Sequence, residues 1–423
     1  MLEKISQIWK VGELRNKILF VLGMLVIFRF AAHIPVPGVN AQALAQYFAS
    51  NQIMGLLNIF SGGGMENFSI VMMGISPYIT ASIIFQLLGM IIPALEEMQK
   101  EEQGRQKINM WTRWLTVPLA ALQAFGMITI LRNSSSEILK EINPIDFGMM
   151  LVVITAGTVF LMWIGELITE KKIGNGISLL IFAGIVSGLP RAVQQMFMQY
   201  DPSQLFIMIG FIAIAVITVI GVVVITEAQR NIPVQYAKQV RGSRMFGGTT
   251  THLPLRVNMA GVVPIIFAIS VVLFPPMVAQ FFLRAKTAWL ASGAEKVIML
   301  FNNQLFYGIA YFLMVFLFTF FYTEVIFHPT QIAENLQKQG GFIPGIRPGR
   351  HTSEYLANTT YKIILVGALF LGIIAILPLI MKAFTGFQSL AIGGTSLLIV
   401  VSVVIETVKQ IESQLSMREY EGM

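Results

Sequence analysis

No cysteine occurs anywhere in the 423-residue chain, so it can build no disulfide framework, thiol nucleophile or thiolate metal site. Charge is scarce: Asp, Glu, Lys and Arg make up 12% of residues against 55% apolar, far from the balance of a soluble domain. The four histidines, His33, His252, His328 and His351, are scattered without metal-ligand spacing. Glycines gather at Gly174-Asn175-Gly176, Gly247-Gly248 and Gly393-Gly394-Thr395, but none of these runs has the G-x-x-x-x-G-K-[ST] form that cradles phosphates. Enzyme chemistry finds no foothold: no catalytic residue, cofactor or metal is expected, and work driven by a nucleotide would fall to a partner. No predicted span carries a carboxylate near its middle, which weighs against ion-coupled transport.

What the chain has is apolar length. Ten candidate spans read at about 18–36, 68–92, 114–131, 147–168, 177–190, 205–227, 259–283, 305–327, 361–380 and 389–408, with Pro190 ending the fifth. Lys and Arg in the connections favour the side of the N-terminus by about three to one, which predicts that both termini are cytoplasmic. A cleaved leader is not expected at the first span, because Arg29 interrupts it and I-P-V-P-G follows without a small-residue cleavage site. Residues 1–17, with Leu2, Ile5, Ile8, Trp9 and Leu14 near one face, read as an interfacial helix.

Between Ile53 and Leu88 an apolar piece too short to cross a bilayer meets Gly62, Gly63 and Gly64, and a second apolar piece long enough to cross follows. Backbone that stops at membrane depth must be buried in protein or line a cavity. A half-helix on a glycine hinge, held inside a bundle, reads as a movable stopper. Ten spans divide into five and five, and an odd number per half makes the second half an inverted copy of the first. One faint echo supports this: the second span of each half carries Gly-x-x-Pro, as Gly74-Ile-Ser-Pro77 and Gly261-Val-Val-Pro264. Glu166, Glu227, Glu324 and Glu406 read as interfacial charges at helix ends.

Two connections on the predicted cytoplasmic side are long. Residues 228–258 hold five basic residues and no acid, with Arg241 and Arg244 at the centre, and 328–356 contains G-I-R-P-G-R from Gly345 to Arg350. Basic loops hold an orientation in the membrane. Loops near 30 residues also suit docking to an acidic protein surface or an RNA backbone.

These residues carry a resemblance. S-G-G-G-M-E-N-F-S-I-V-M-M-G-I-S-P-Y-I-T-A-S-I-I, K-K-I-G-N-G-I-S-L-L-I-F-A-G-I-V-S-G-L-P, T-H-L-P-L-R-V-N-M-A-G-V-V-P-I-I-F-A, F-I-P-G-I-R-P-G-R and G-G-T-S-L-L-I-V-V stand in order over essentially the whole chain and resemble the bacterial SecY family. The resemblance implies an all-α membrane protein of ten transmembrane helices in two inverted five-helix halves, with a re-entrant plug half-helix. The halves would be 18–190 and 205–410, joined outside by 191–204 and followed by a tail at 411–423. The plug would be about 54–67, hinged at Gly62, Gly63 and Gly64.

The implied pore ring is Ile75, Ile79, Ile181, Ile185, Ile266 and Ile399; read from residues alone, these are ordinary core or lipid-facing isoleucines. The implied lateral gate, between helices 2 and 7, has Thr80, Ser82, Gln86 and Asn258 as its polar members, which otherwise read as hydrogen-bonding groups between helices. Cytoplasmic docking would use Arg241, Arg244, Arg347 and Arg350. The implied partners are the SecE and SecG subunits, the SecA ATPase, the ribosome, signal sequences, unfolded polypeptide substrates and membrane lipids. The implied function is conduction of secretory polypeptides across the bacterial cytoplasmic (inner) membrane and sideways release of membrane segments. A secondary transporter would need a polar site at mid-membrane, where isoleucine is expected. A scaffold would explain the long loops but not the hinged plug.

Overall fold

Residues 9–40, 43, 44, 46, 47, 61, 63–132, 138, 139, 143–198, 205–236, 239–241, 244–246, 250–283, 287–385 and 394–421 are described by a computed structural model. The first half contains α1 (Gly12–Ala31), α2 (Ser76–Ile91), the short α3 (Pro93–Lys100), α4 (Glu102–Arg132), α5 (Pro144–Glu170) and α6 (Gly176–Met198). The second half begins with α7 (Leu205–Glu227), followed by β1 (Gln229–Tyr236), β2 (Gln239–Arg241), β3 (Arg244–Phe246) and β4 (Thr250–Arg256). It continues with α8 (Val263–Phe282), α9 (Ala288–Asn302), α10 (Gln304–Ile326), α11 (Pro329–Lys338), β5 (Gly341–Phe342), α12 (Arg350–Thr385) and α13 (Gly394–Glu421). A helix thus meets each of the ten expected spans. By length and apolarity alone, four described stretches are long enough to cross a bilayer, and α2 with α3 makes a fifth that is bent by 109°.

Local chemistry sets the helix starts. Pro77, Pro93, Pro144, Pro264 and Pro329 stand in the first turns of α2, α3, α5, α8 and α11, where a missing N–H costs nothing and the fixed φ already suits a helix. Asn303 caps α10 by accepting from the N–H groups of Leu305 and Phe306 at 3.0 and 3.4 Å.

The bounds differ from expectation in several places. The first helix begins at Gly12, so residues 12–17 continue it, and it stops at Ala31 because Pro35 and Pro37 force the chain beyond it into extended backbone. The second helix begins at Ser76 rather than 68, since residues 63–75 form turns that end on Gly74. The fifth runs through Pro190 to Met198; one lost backbone bond is tolerated where neighbouring helices can re-satisfy the freed carbonyl. Residues 1–8, which the expected interfacial helix includes, lie outside the described residues, as do 54–60 and Gly62 of the expected plug.

The two halves use the same contacts. In the first, α2 packs on α4, α4 on α5, α5 on α6, and α1 lies against α5 and α6. In the second, α8 packs on α10, α10 on α12, α12 on α13, and α7 lies against α12 and α13. Across the seam like meets like, α2 against α8 and α6 against α13, as inverted repeats about an axis in the membrane plane require. The echo of Gly-x-x-Pro is structural as well: Gly74 and Gly261 have φ of +56° and +63°.

The long connections at 228–258 and 328–356 are not loops. β1 pairs antiparallel with β4, from Gln229 opposite Arg256 to Gln235 opposite Thr250, and β5 joins its other edge through Gln235–Phe342 and Tyr236–Gly341. Pro233 is tolerated because β5 reaches only the last two residues of β1, leaving an open edge beside the proline. Ile232, Val234 and Leu255 point to one face and pack with Leu336 of α11, Ile343, and Leu356 and Ile363 of α12. The two connections thus form one small domain at the end of the bundle, called the sheet end below.

Gly261 has no neighbouring atom within 4 Å of an added Cβ, so a side chain would fit and only the left-handed φ requires glycine. Gly261→Ala is expected to lower the thermal midpoint of the chain in lipid nanodiscs, at a cost on the order of 1–2 kcal/mol. Gly210→Ala, equally open but inside α7, should be neutral or stabilising by up to about 1 kcal/mol. Equal shifts for both would mean that the turn before α8 is not held in the left-handed region.

Candidate functional site: the apolar centre between the halves

Four helices, two from each half, deliver the six expected ring isoleucines. Ile75 stands immediately before α2 at φ −99° and ψ 2°, and its carbonyl accepts from the N–H of Ile79 at 3.1 Å. Ile266 sits at the matching point of α8, its N–H donating to the carbonyl of Val262 at 3.3 Å. Ile181 and Ile185 are one turn apart on α6, and Ile399 lies in the second turn of α13. Ile79 is half-buried and the other five are buried. Five of them belong to one continuous apolar cluster that draws on both halves, and Ile79 packs against it. Branched hydrocarbon side chains offer no substitute for an ion's hydration shell, so the arrangement can close by packing and exclude ions by dewetting.

The described part of the expected plug, Ser61 and residues 63–67, is anchored beside this cluster. Gly63 has φ +78°, and a Cβ on Gly64 would meet Ser69 Oγ at 3.0 Å and the carbonyl of Val71 at 3.1 Å. Ser61 Oγ accepts from the N–H of Met65, and the carbonyl of Gly64 from the N–H of Ser69. The base is pinned to the chain beyond α1, where Val36 N–H donates to the Phe68 carbonyl at 2.8 Å and Ile70 N–H to the Ile34 carbonyl at 3.0 Å. Phe68, fully buried, has φ +44°, a conformation costing about 1–3 kcal/mol that persists only where the surroundings dictate it. Met65, Phe68 and Met72 fill a second apolar cluster against α4 and α5.

The expected gate residues lie on both sides of the α2–α8 seam, but their hydrogen bonds do not cross it. Thr80 Oγ1 donates to the Ser76 carbonyl at 3.0 Å and Gln86 Nε2 to Ser82 Oγ at 3.1 Å, both within α2. Asn258 is buried between β4 and α8, and neither its Oδ1 nor Gln86 Oε1 has a partner. Among the described residues no side-chain hydrogen bond joins α2 to α8, and two acceptors at the expected gate positions are unsatisfied.

At the sheet end, Arg241 and Arg244 are the closing pair of the β2–β3 hairpin. Arg347 is exposed on the turn after β5, and its carbonyl accepts from Thr352 Oγ1 at 3.0 Å, which ties the turn to the start of α12. Arg350, 89% exposed, pairs with Glu354 at 2.9 Å. Two of the four glutamates at helix ends join helices: Glu166 of α5 pairs with Arg113 of α4, and Glu227 of α7 with Lys409 of α13 at 2.7 Å. Sequence reading overlooked Tyr307 and Tyr311 on α10, stacked at 6.1 Å with both hydroxyls buried and unpartnered. Their spacing of four in an apolar span was the available signal.

Two inverted helical halves that meet on an apolar cluster define the class of membrane channel to which the following relatives belong. A family model described as SecY matches residues 69–408. The protein translocase subunits SecY of Halalkalibacterium halodurans and of Bacillus subtilis are each 45% identical to this chain, and that of Streptomyces scabiei 44%, each alignment covering 100% of this chain and 99% of the relative. The chain belongs to the SecY family. Its fold is similar to that of a solved structure described as a protein conducting channel, with TM-score 0.64, 17% identity and coverage of 94% of this chain and 91% of that one. It is similar also to Sec61 in a canine ribosome-channel complex from the endoplasmic reticulum, with TM-score 0.62, 18% identity and the same coverage.

An unpaired buried amide oxygen costs about 1–3 kcal/mol, more than the single bond within α2 that Gln86 makes. Gln86→Met is therefore expected to raise the thermal midpoint in nanodiscs, by the equivalent of about 1 kcal/mol. A fall would mean that the oxygen finds a partner in the bilayer.

Proposed function

We propose that this chain is a protein-conducting channel that passes unfolded secretory polypeptides through its centre and releases membrane segments sideways. The observation that carries the reading is that Ile75, Ile79, Ile181, Ile185, Ile266 and Ile399, from four helices of both halves, lie in or against one apolar cluster. As a ring they close around a passing chain by packing and reopen without breaking hydrogen bonds. The plug at about 54–67, hinged at the glycines beside Ser61, covers the ring at rest. The lateral gate is the α2–α8 seam, where an apolar signal-sequence helix replaces one packing partner by another of the same chemistry.

The sheet end faces the cytoplasm with both termini, in the bacterial inner membrane. There the SecA ATPase or the ribosome docks on Arg241, Arg244, Arg347 and Arg350 and supplies the drive; SecE and SecG complete the complex. Support for docking comes from the exposure of Arg347 on a turn that α12 holds in place.

Because the chain has no cysteine, single cysteines report cleanly. With a cysteine at Ile79 and another in the mature part of a precursor stalled by SecA and ATP, oxidation should give a disulfide that depends on ATP and on a working signal sequence. Absence of adducts at Ile79, Ile181 and Ile266 in an assembled complex would make the ring ordinary core. Separately, Arg347→Glu should leave the channel inserted and assembled yet stall SecA-driven translocation in proteoliposomes, and normal translocation would remove the docking role.

A further inference from the structure

The halves repeat closely enough to pair residues one to one. Gly74-Ile75-Ser76-Pro77-Tyr78-Ile79 and Gly261-Val262-Val263-Pro264-Ile265-Ile266 lead into α2 and α8 on the same backbone: left-handed glycine, then φ −99° and ψ 2° at Ile75 against φ −93° and ψ −9° at Val262. In both, the carbonyl of that second residue accepts from the N–H four residues on, Ile79 or Ile266. The last helix of each half matches as well. α6 opens Gly176-Ile177-Ser178-Leu179-Leu180-Ile181 and α13 opens Gly394-Thr395-Ser396-Leu397-Leu398-Ile399, with Ser178, Leu180 and Ile181 buried as Ser396, Leu398 and Ile399 are.

These registers pair Ile79 with Ile266 and Ile181 with Ile399, four of the six ring positions. The other two, Ile75 and Ile185, pair with Val262 and Val403, which sequence reading did not place in the ring. An axis relating the halves carries any side chain that faces it onto a mate that also faces it. Val262 and Val403 meet the condition for this: they are 3% and 2% exposed and belong to the same cluster as Ile75 and Ile185.

We propose that Val262 and Val403 complete the constriction as the symmetry mates of Ile75 and Ile185, so that both residues touch a polypeptide in transit. This deepens the channel reading and rests on it. Valine keeps the branched, χ1-restricted shape that seals without rotamer freedom, but lacks one methylene. The wall built by α8 and α13 is therefore the less filled side of the collar, and bulky substrate side chains pass against it.

Single cysteines at Val262 and Val403 test this in the assembled complex with the stalled single-cysteine precursor, beside references at Ile79 and Ile399. Val404, 43% exposed and next along α13, serves as the outward control. Both valine positions should form disulfides comparable to those of the references, and Val404 none above background. Adducts at Ile79 and Ile399 without adducts at the valines would overturn the proposal and leave a ring of six. Absence at all the tested positions would overturn this proposal and the channel reading together. As a second readout, Val262→Asn and Val403→Asn should raise resting ion conductance in planar bilayers while Val404→Asn does not; equal conductance for all three would count against the valines lining the seal.

Discussion

Everything in this molecule depends on one contact that is strong in sum and weak at each point: hydrocarbon packing between the two five-helix halves, α2 on α8 and α6 on α13. In a bilayer every backbone polar group must be satisfied within its own helix, so the helices are closed units and only the seams between them can open. Lipid tails are as apolar as isoleucine, so parting the hydrocarbon part of such a seam exposes little that the surroundings reject. A seam of ion pairs would behave otherwise. Two ion pairs that join helices, Arg113 with Glu166 and Lys409 with Glu227, each lie within one half.

The sheet end is tied to one side of that seam. β1 follows α7 after one residue, and Val257 N–H donates to the Ala228 carbonyl, closing the base of the sheet beneath α7. From there six residues, Val257 to Val262, lead into α8, while α11, β5 and α12 pack on the same small core. A force applied to this domain is thereby delivered to helices of the second half, on one side of the seam only. The left-handed Gly261 at the foot of α8 is the point where the path turns into that helix.

Much of this was legible in advance. The family motifs identified the helical membrane fold, and the Gly-x-x-Pro echo pointed at the repeat. The start of α2 was misplaced by eight residues because 68–75 is apolar enough to pass for a span. It is the turn at Gly74, together with the pairing of Ile70 to Ile34 far back in the chain, that keeps it from being helix. The connections at 228–258 and 328–356 read as basic loops, although I-P-V and L-P-L hold the alternation of strands. Their pairing joins segments about 100 residues apart, and no local pattern reports that.

By itself the sequence determined that the chain lives in a membrane, where its positive charge gathers and which residue types it lacks. Those follow from apolar run length, from the placement of Lys and Arg and from missing residue types, all of them local properties. Which face of each helix looks inward was decided only by the tertiary structure. A soluble helix advertises its buried face by polarity, but a helix between lipid and protein core is apolar on both sides and carries no such stripe. Ile399, Val403 and the exposed Val404 are chemically alike, and only the neighbouring helices distinguish them.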